Sequence, residues 1–173
     1  MDKNDKMIMV VHKDLLFGNN YFEGFKPASE ADFYDRILQH HITMKRGLAE
    51  EDPQYKQPIP YLLVISPSRQ VFAYQRSKKA GESRLHNKWS WGIGGHVDAE
   101  DMETKDPIKT SLLRELKEEV GVENPHLSLL GYINYDSDPV GQVHFGLLYA
   151  VRVNSENIVS EDPEIKTGSF IDI

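Results

Sequence analysis

Cysteine is absent from this chain of 173 residues. Its absence excludes a disulfide framework, a zinc-thiolate site and a thiol nucleophile. The sequence also has no apolar run near the ~20 residues that a membrane-spanning helix needs, and none follows the charged N-terminal residues 2–6. We therefore expect no signal peptide, no contact with a membrane and a cytoplasmic location.

Positive charge is scarce, because 20 Lys and Arg residues are outnumbered by 27 Asp and Glu residues, which leaves a net charge of -7. Duplex nucleic acid is bound through basic surfaces, so we do not expect it as a partner. A small phosphorylated ligand needs only a local positive patch and a metal. The basic residues of one segment could form such a patch: Arg76, Lys78, Lys79, Arg84, His86 and Lys88.

The length of the chain fits one domain, residues 1–173. We expect residues 1–57 to form an N-terminal strand-helix extension of a core at 58–173. The apolar run Met7–His12 predicts the strand, and Ser29 as an N-cap predicts a helix over about 30–44. Prolines 53, 58 and 60 predict a loop after that helix.

Strand patterns dominate the rest of the chain, at 61–65, 71–75, 127–135, 143–153 and from 169 onward, the first two forming a hairpin. A glycine-rich turn lies within 89–97, and an acidic loop follows at 98–105. Asp106 and Pro107 predict a helix start, because an N-cap followed by proline is a favoured order. Apolar residues at helical spacing continue this helix to Gly121.

The acidic residues of this region are the most informative feature of the sequence. The predicted helix contains the string Arg114-Glu115-Leu116-Lys117-Glu118-Glu119-Val120-Gly121-Val122. Glu115, Glu118 and Glu119 have spacings of three and four, so they share one helix face and can share a divalent cation. Hard cations such as Mg²⁺ prefer oxygen ligands and suit the hydrolysis of phosphate anhydrides. The string therefore indicates a metal-dependent enzyme.

The same string resembles the second half of the Nudix signature, and every specified position matches. The Gly94-Gly95 pair after a Trp-containing strand is similar to the start of that signature. The resemblance implies an α/β fold, a Nudix-type α/β/α sandwich with a mixed sheet. It also implies a Mg²⁺-dependent (or Mn²⁺-dependent) hydrolase that cleaves a diphosphate bond in a nucleoside diphosphate linked to another moiety.

One part of the signature departs from the family pattern. The family places a Glu eight residues before its Arg and six after its Gly, whereas Asp106 is eight residues before Arg114 and eleven after Gly95. The loop at 98–105 therefore carries a five-residue insertion. Since Met102 is its only large apolar residue, we expect a mobile rim beside the site that affects substrate selection or metal loading.

The resemblance also assigns roles to the metal-binding residues. It implies Glu115 and Glu119 as metal ligands, Glu118 as a ligand or catalytic base, and the backbone carbonyl of Gly94 or Gly95 as a further ligand. Water would attack phosphorus while a glutamate takes its proton.

Other roles depend on weaker signals. The resemblance also implies a catalytic role for Arg114, which would orient the glutamates through salt bridges rather than contact substrate. Arg76, Trp91 and His96 are candidate substrate-binding residues: the first for phosphate, the second for stacking on a base, the third because it follows the glycines. Glu164, in a late acidic loop, is a candidate extra ligand or base, with Glu161 as the competing candidate.

Two alternatives remain at this point. An isopentenyl-diphosphate-isomerase-like enzyme shares the fold but needs a cysteine or an equivalent acid-base pair, and a ligand-sensing Nudix module usually lacks the glutamates. The expected partner is a small phosphorylated, nucleotide-derived substrate whose leaving group the sequence does not specify. Nudix folds usually close with a C-terminal helix that this sequence lacks. Either the chain is truncated, or the N-terminal helix or a second copy in a homodimer covers that face.

Overall fold

The computed structural model describes residues 2–76, 89–120, 125–154 and 165–172. The chain divides into two compact units. The first comprises Met1–Pro60, Gly95–Ser111 and Leu129–Leu148, and the second comprises Tyr61–Gly94, Leu112–Ser128 and Tyr149–Ile173.

The described residues form a mixed β-sheet with few helices, as expected for an α/β chain. The strands are β1 Met7–His12, β2 Gly24–Pro27, β3 Ile42–Lys45, β4 Tyr55–Ile65, β5 Val71–Arg76, β6 Trp89–Ser90, β7 Gly92–Gly94, β8 Leu127–Asn134, β9 His144–Arg152 and β10 Ile165–Ile171. The helices are α1 Lys13–Phe17, α2 Phe33–His40, α3 Arg46–Ala49, α4 Pro107–Val120 and α5 Pro139–Val143. The path of hydrogen-bonded strands is β10-β5-β4-β9-β8-β2.

The first unit is organised around β1, which is paired antiparallel with β3 and, at its end, with β4. Residues 8–11 of β1 are almost completely buried, which explains why this segment is a continuous apolar run rather than an alternating one. Five aromatic rings with centroid separations of 5.2 to 6.4 Å fill the core nearby: Phe17, Phe22, Phe33, Tyr132 and Phe145. Such ring pairs contribute packing beyond their buried area.

A buried ion pair also stabilises the first unit. The Lys56 side chain is completely buried, and its ammonium donates to Asp136 and to the Gly141 carbonyl at 2.6 Å. Burial lowers the pKa of Lys56, which the Asp136 carboxylate partly opposes. Lys13 and the Tyr21 hydroxyl also contact Asp136, at 3.4 and 3.1 Å. A charge of this kind is tolerated inside a protein only when it is paired and hydrogen-bonded.

The second unit contains the predicted hairpin. Ile65 of β4 is paired with Val71 of β5, and β10 lies antiparallel along the other side of β5. Phe72 and Phe170 pack edge to face across that pair, with ring centroids 5.7 Å apart. This confirms the hairpin and the last strand, which begins four residues earlier than predicted.

Two predictions for the N-terminal region are wrong in their details. The helix expected over 30–44 is limited to α2, while Ser29 lies in a 3-10 turn and residues 42–45 form β3. Pairing with β1 outweighs the helical pattern there. The proline loop is also wrong, because Pro58 and Pro60 lie inside β4. A strand tolerates proline where its nitrogen is not needed as a ladder donor.

None of the helices in the described segments has the length and apolar character that a bilayer crossing requires.

Candidate active site

Helix α4 begins where the sequence predicts. The Asp106 carboxylate accepts a hydrogen bond from the Lys109 amide at 3.0 Å, so Asp106 is the N-cap, and Pro107 is the first helical residue. The apolar stripe fixes the rotation of the helix through three fully buried side chains: Ile108, Leu112 and Leu116. Because these residues are turned inward, the charged residues of the signature lie on the partly exposed surface of α4.

The described part of that surface contains Arg114, Glu115 and Glu118. The Arg114 guanidinium donates to a Glu115 carboxylate oxygen at 2.6 Å and lies 3.7 Å from Glu118. The Glu115 side chain is 16% exposed, whereas the Glu118 side chain is 61% exposed. The arginine therefore fixes the more buried carboxylate and leaves the other one accessible to solvent.

The remaining predicted residues of the acidic and basic sets are described only in part. Glu119 lies in the last turn of α4, and its side chain is outside the described residues. Arg76 ends β5, where its backbone is paired with Ile165, and its side chain is likewise outside them. Glu164 and residues 77–88 also lie outside the described residues.

The glycine-rich turn is built by close packing in the second unit. A Cβ on Gly92 would lie 1.9 Å from the Tyr61 ring, so only glycine fits there. The Tyr74 hydroxyl donates to the Gly92 carbonyl at 3.0 Å, and Tyr74 is buried. Gly94 ends β7 opposite Tyr61. Just before β7, Trp91 is 51% exposed, so its ring face is available for stacking.

His96 and Gly95 belong to the first unit, where His96 is held by several contacts. Its Nε2 lies 2.8 Å from Gln57 Oε1, and its backbone carbonyl accepts from the Ser111 hydroxyl at 3.1 Å. Burial, with smaller contributions from nearby positive groups, lowers the pKa of His96 to about 3. The imidazole is therefore neutral at pH 7, and it can bind or donate but does not carry a positive charge for phosphate.

Sequence reasoning missed the neighbours of His96. Glu50 Oε1 lies 3.9 Å from His96 Nε2 and 4.0 Å from His144 Nε2, and the two imidazole centroids are 5.6 Å apart. These residues come from three distant parts of the chain, so no local spacing could have indicated the cluster.

The inserted loop makes backbone and side-chain contacts that the sequence did not predict. Residues 101–103 form a 3-10 turn, and Asp101 is 4% exposed. Its carboxylate accepts from the Asp98 amide at 3.0 Å, and the Ala99 amide donates to the Met7 carbonyl at 3.0 Å. The expectation of a segment without anchors is wrong, because a buried carboxylate provides the anchor that apolar residues do not.

Comparison with known proteins identifies the fold family. A family model described as the NUDIX domain matches residues 56–173. The chain belongs to the Nudix family. Protein YmaB of Bacillus subtilis (strain 168) is 40% identical over 162 residues, which cover 88% of this Nudix chain and 78% of the relative.

Solved structures agree with this assignment. The crystal structure of Tm1382, described as a candidate Nudix hydrolase, superimposes with a TM-score of 0.80 at 31% identity, over 96% of this chain and 85% of that one. The NUDIX domain of Shewanella oneidensis NrtR, solved with ADP ribose, has a TM-score of 0.52 at 18% identity, over 66% and 71% of the two chains, and shares the fold. The predicted Nudix fold class is confirmed, and the protein is a Nudix phosphohydrolase.

Proposed function

We propose that this Nudix enzyme hydrolyses a diphosphate bond in a nucleoside diphosphate linked to another moiety, with Mg²⁺ or Mn²⁺ as cofactor. The observation that carries the proposal is the Arg114–Glu115–Glu118 arrangement on α4, within a string that matches the family signature. In this arrangement one carboxylate is shielded and oriented, and the other is open to solvent on the same helix. They are suited to a cation and a phosphorylated substrate.

The donor set of α4 fits a hard divalent cation. Glu115 and Glu118 offer carboxylate oxygens on one face, with one carboxylate shielded and one accessible. Glu119 lies on the same helix, and the Gly94 and Gly95 carbonyls are further candidate oxygen donors. A bound Mg²⁺ would neutralise charge on the phosphate oxygens and acidify the attacking water.

The chain's own residues have separate roles in this proposal. Glu115 and Glu119 bind the cation, and Arg114 keeps the Glu115 carboxylate in one orientation. Glu118 is a further ligand or the base, and its 61% exposure allows it to reach a solvent-derived nucleophile. A base must lie within hydrogen-bond reach of the proton that it takes, which an accessible side chain on the same face can achieve.

On the substrate side, we assign Trp91 to stacking on the base and Arg76 to the phosphates. His96, neutral at pH 7, is assigned to a hydrogen bond with substrate rather than to charge neutralisation. Glu164 is an extra ligand or base.

The proposal extends to the context of the enzyme. Residues 1–57 form an extension of the Nudix core at 58–173, the protein acts in the cytoplasm, and it forms a homodimer. Its partner is a small nucleotide-derived substrate.

A substrate panel with Mg²⁺ present tests the proposal. The panel contains oxidised nucleotides, nucleotide sugars, dinucleoside polyphosphates and ADP-ribose. ADP-ribose is included because it is the ligand in the NrtR domain structure. We expect release of a nucleoside monophosphate from at least one compound, chelator-sensitive and lost in the Glu115→Gln, Glu119→Gln double variant. Binding without hydrolysis would favour the sensing module. Rearrangement of isopentenyl diphosphate would favour the isomerase.

A further inference from the structure

The first unit contains a second set of potential metal ligands, which the Nudix signature does not include. Glu50 directly follows α3, His96 follows the glycine pair, and His144 begins β9. One ligand atom from each lies within 4.8 Å of the other two. All three side chains are half-buried, so a cation held there would be shielded yet reachable from solvent.

The hydrogen bonds of His144 prepare its ring for this role. Its Nδ1 lies 2.7 Å from the Val140 carbonyl oxygen. A carbonyl can only accept, so Nδ1 carries the proton and Nε2 carries the lone pair. Nε2 is the atom on the side of Glu50, at 4.0 Å. Metal-binding histidines are commonly oriented by this kind of hydrogen bond through the other ring nitrogen.

Gln57 gives an independent indication that a polar group belongs beside His96. The side chain is completely buried, its oxygen lies 2.8 Å from His96 Nε2, and its amide nitrogen has no hydrogen-bond partner among the described residues. An amide oxygen only accepts, so in this orientation His96 Nε2 carries the proton of the pair, and a cation bound at Nε2 would replace that proton. Since buried amide groups are ordinarily hydrogen-bonded, this donor indicates that a polar acceptor belongs beside His96, and water on a hydrated cation is one such acceptor.

The spacing of the ligand atoms is close to that of a metal centre. With metal–nitrogen distances of about 2.0–2.1 Å, ligands of a tetrahedral zinc ion lie about 3.4 Å apart. The observed separations from Glu50 Oε1 to His96 and His144 are 3.9 and 4.0 Å, so each side chain needs to move only slightly. Such shifts are within the reach of half-buried side chains.

Charge compensation at Glu50 is already present. Arg46 Nε lies 3.3 Å from Glu50 Oε1 and holds the carboxylate on the side of the two imidazoles. Its positive charge lowers the affinity for any cation, so a weakly coordinating metal is disfavoured. Two imidazole nitrogens and one carboxylate favour Zn²⁺, Co²⁺ or Ni²⁺ over Mg²⁺, which prefers all-oxygen ligands.

We propose that Glu50, His96 and His144 form a second divalent-metal site of the two-histidine, one-carboxylate type, selective for Zn²⁺ and similar transition metals. Three protein ligands leave a coordination position for water or for the oxygen of Gln57. The two metal sites differ in their ligands and in their preferred metal. His96 is also the residue assigned above to a substrate hydrogen bond, so the second site is tested by metal binding and not by hydrolysis.

Titration of the metal-free full chain with Co²⁺ alone tests the proposal through its visible absorption, which reports four-coordinate nitrogen and oxygen ligation. We expect one equivalent to give this spectrum and Zn²⁺ to displace it. His144→Gln and His96→Gln should each weaken binding at least tenfold. Two control proteins should keep both the Co²⁺ spectrum and the Co²⁺ affinity. One is His126→Gln, which changes an exposed histidine outside the cluster, and the other is the Glu115→Gln, Glu119→Gln double variant of helix α4.

Other results would overturn the proposal. One is that the protein shows no four-coordinate Co²⁺ absorption. The other is that the absorption is lost in the Glu115→Gln, Glu119→Gln double variant but kept in His144→Gln. If the histidine variants fail to fold, anomalous scattering from crystals of the unaltered protein with Zn²⁺ decides instead. A zinc peak at Glu50, His96 and His144 supports the site, and zinc bound elsewhere refutes it.

Discussion

Replacing Arg114 by alanine tests whether the arginine positions the catalytic glutamates or binds substrate. In the structure its guanidinium contacts Glu115 at 2.6 Å and lies near Glu118 at 3.7 Å. The alanine variant removes this positive charge and leaves the Glu115 carboxylate without its Arg114 hydrogen bond. Without the guanidinium between them, the carboxylates of Glu115 and Glu118 repel each other, so their orientation becomes less defined.

The expected magnitude follows from the two contacts. A charge-assisted hydrogen bond contributes about 1.5–3 kcal/mol. The second contact is longer and involves a Glu118 side chain that is 61% exposed, so solvent screening leaves it little weight. If most of the first contribution is expressed in the transition state, kcat falls about 10- to 100-fold. KM should change by less than about threefold, because the substrate does not contact Arg114 in this mechanism.

Steady-state kinetics on the substrate found in the panel measures both constants. Arg114→Lys should recover part of kcat, because it restores the charge but not the planar fork of the guanidinium. Lys109→Ala is the matched control, since it removes an exposed positive charge from the same helix outside the signature. A large rise in KM with unchanged kcat would refute the positioning role and indicate direct substrate binding.

Three further predictions concern stability. Lys56→Met should lower the free energy of unfolding by about 2–4 kcal/mol in a urea titration, because it leaves Asp136 without its main partner. The pKa of Asp136 is lowered in the folded protein, so the stabilisation that its charged form provides is present at neutral pH and is lost as pH falls below about 4. The difference in unfolding free energy between Lys56→Met and the unaltered protein should therefore shrink in acid. Gly141→Ala should lower the melting temperature by several degrees in calorimetry, since a Cβ there would lie 1.6 Å from the Tyr135 carbonyl oxygen; unchanged melting would contradict that packing. Asp101→Ala should cost about 1–3 kcal/mol by urea titration, because the backbone amide three residues earlier loses its acceptor, and a loss below about 0.5 kcal/mol would show that the loop is not anchored in this way.

Patterns with local causes were predictable from the sequence. The N-cap at Asp106 and the proline after it specify the start of α4 through their own hydrogen-bonding properties. The hairpin of β4 and β5 follows from two apolar runs and the turn between them. In each case the information lies within a few residues of the structure that it determines.

Features that depend on distant partners were not predictable. Residues 42–45 form a strand because β1 offers its edge, and β2 forms because β8 lies beside it. The helical pattern at 42–45 is a weak preference that a tertiary hydrogen-bond ladder overrides. The same reason accounts for part of the acidic loop, where the Ala99 amide donates to the carbonyl of Met7, which is distant in the sequence.

The candidate site shows the same division. That Glu115 and Glu118 lie on one helix beside Arg114 could be predicted from spacing alone, while their role as metal ligands stays a prediction. The Glu50, His96 and His144 cluster could not, because three separate elements bring it together.

The charge balance of that cluster indicates how it differs from a structural zinc site. Arg46 Nε lies 3.3 Å from Glu50 Oε1 and offsets its charge, so the carboxylate is compensated without a metal. A structural zinc site usually has ligands that the fold cannot accommodate without the ion. Here the surrounding residues already satisfy most of the electrostatic requirements, and the Gln57 nitrogen is the group beside the cluster that no described residue satisfies. The fold therefore tolerates both the empty and the filled state, and occupancy would follow the concentration of the metal rather than the folding of the chain.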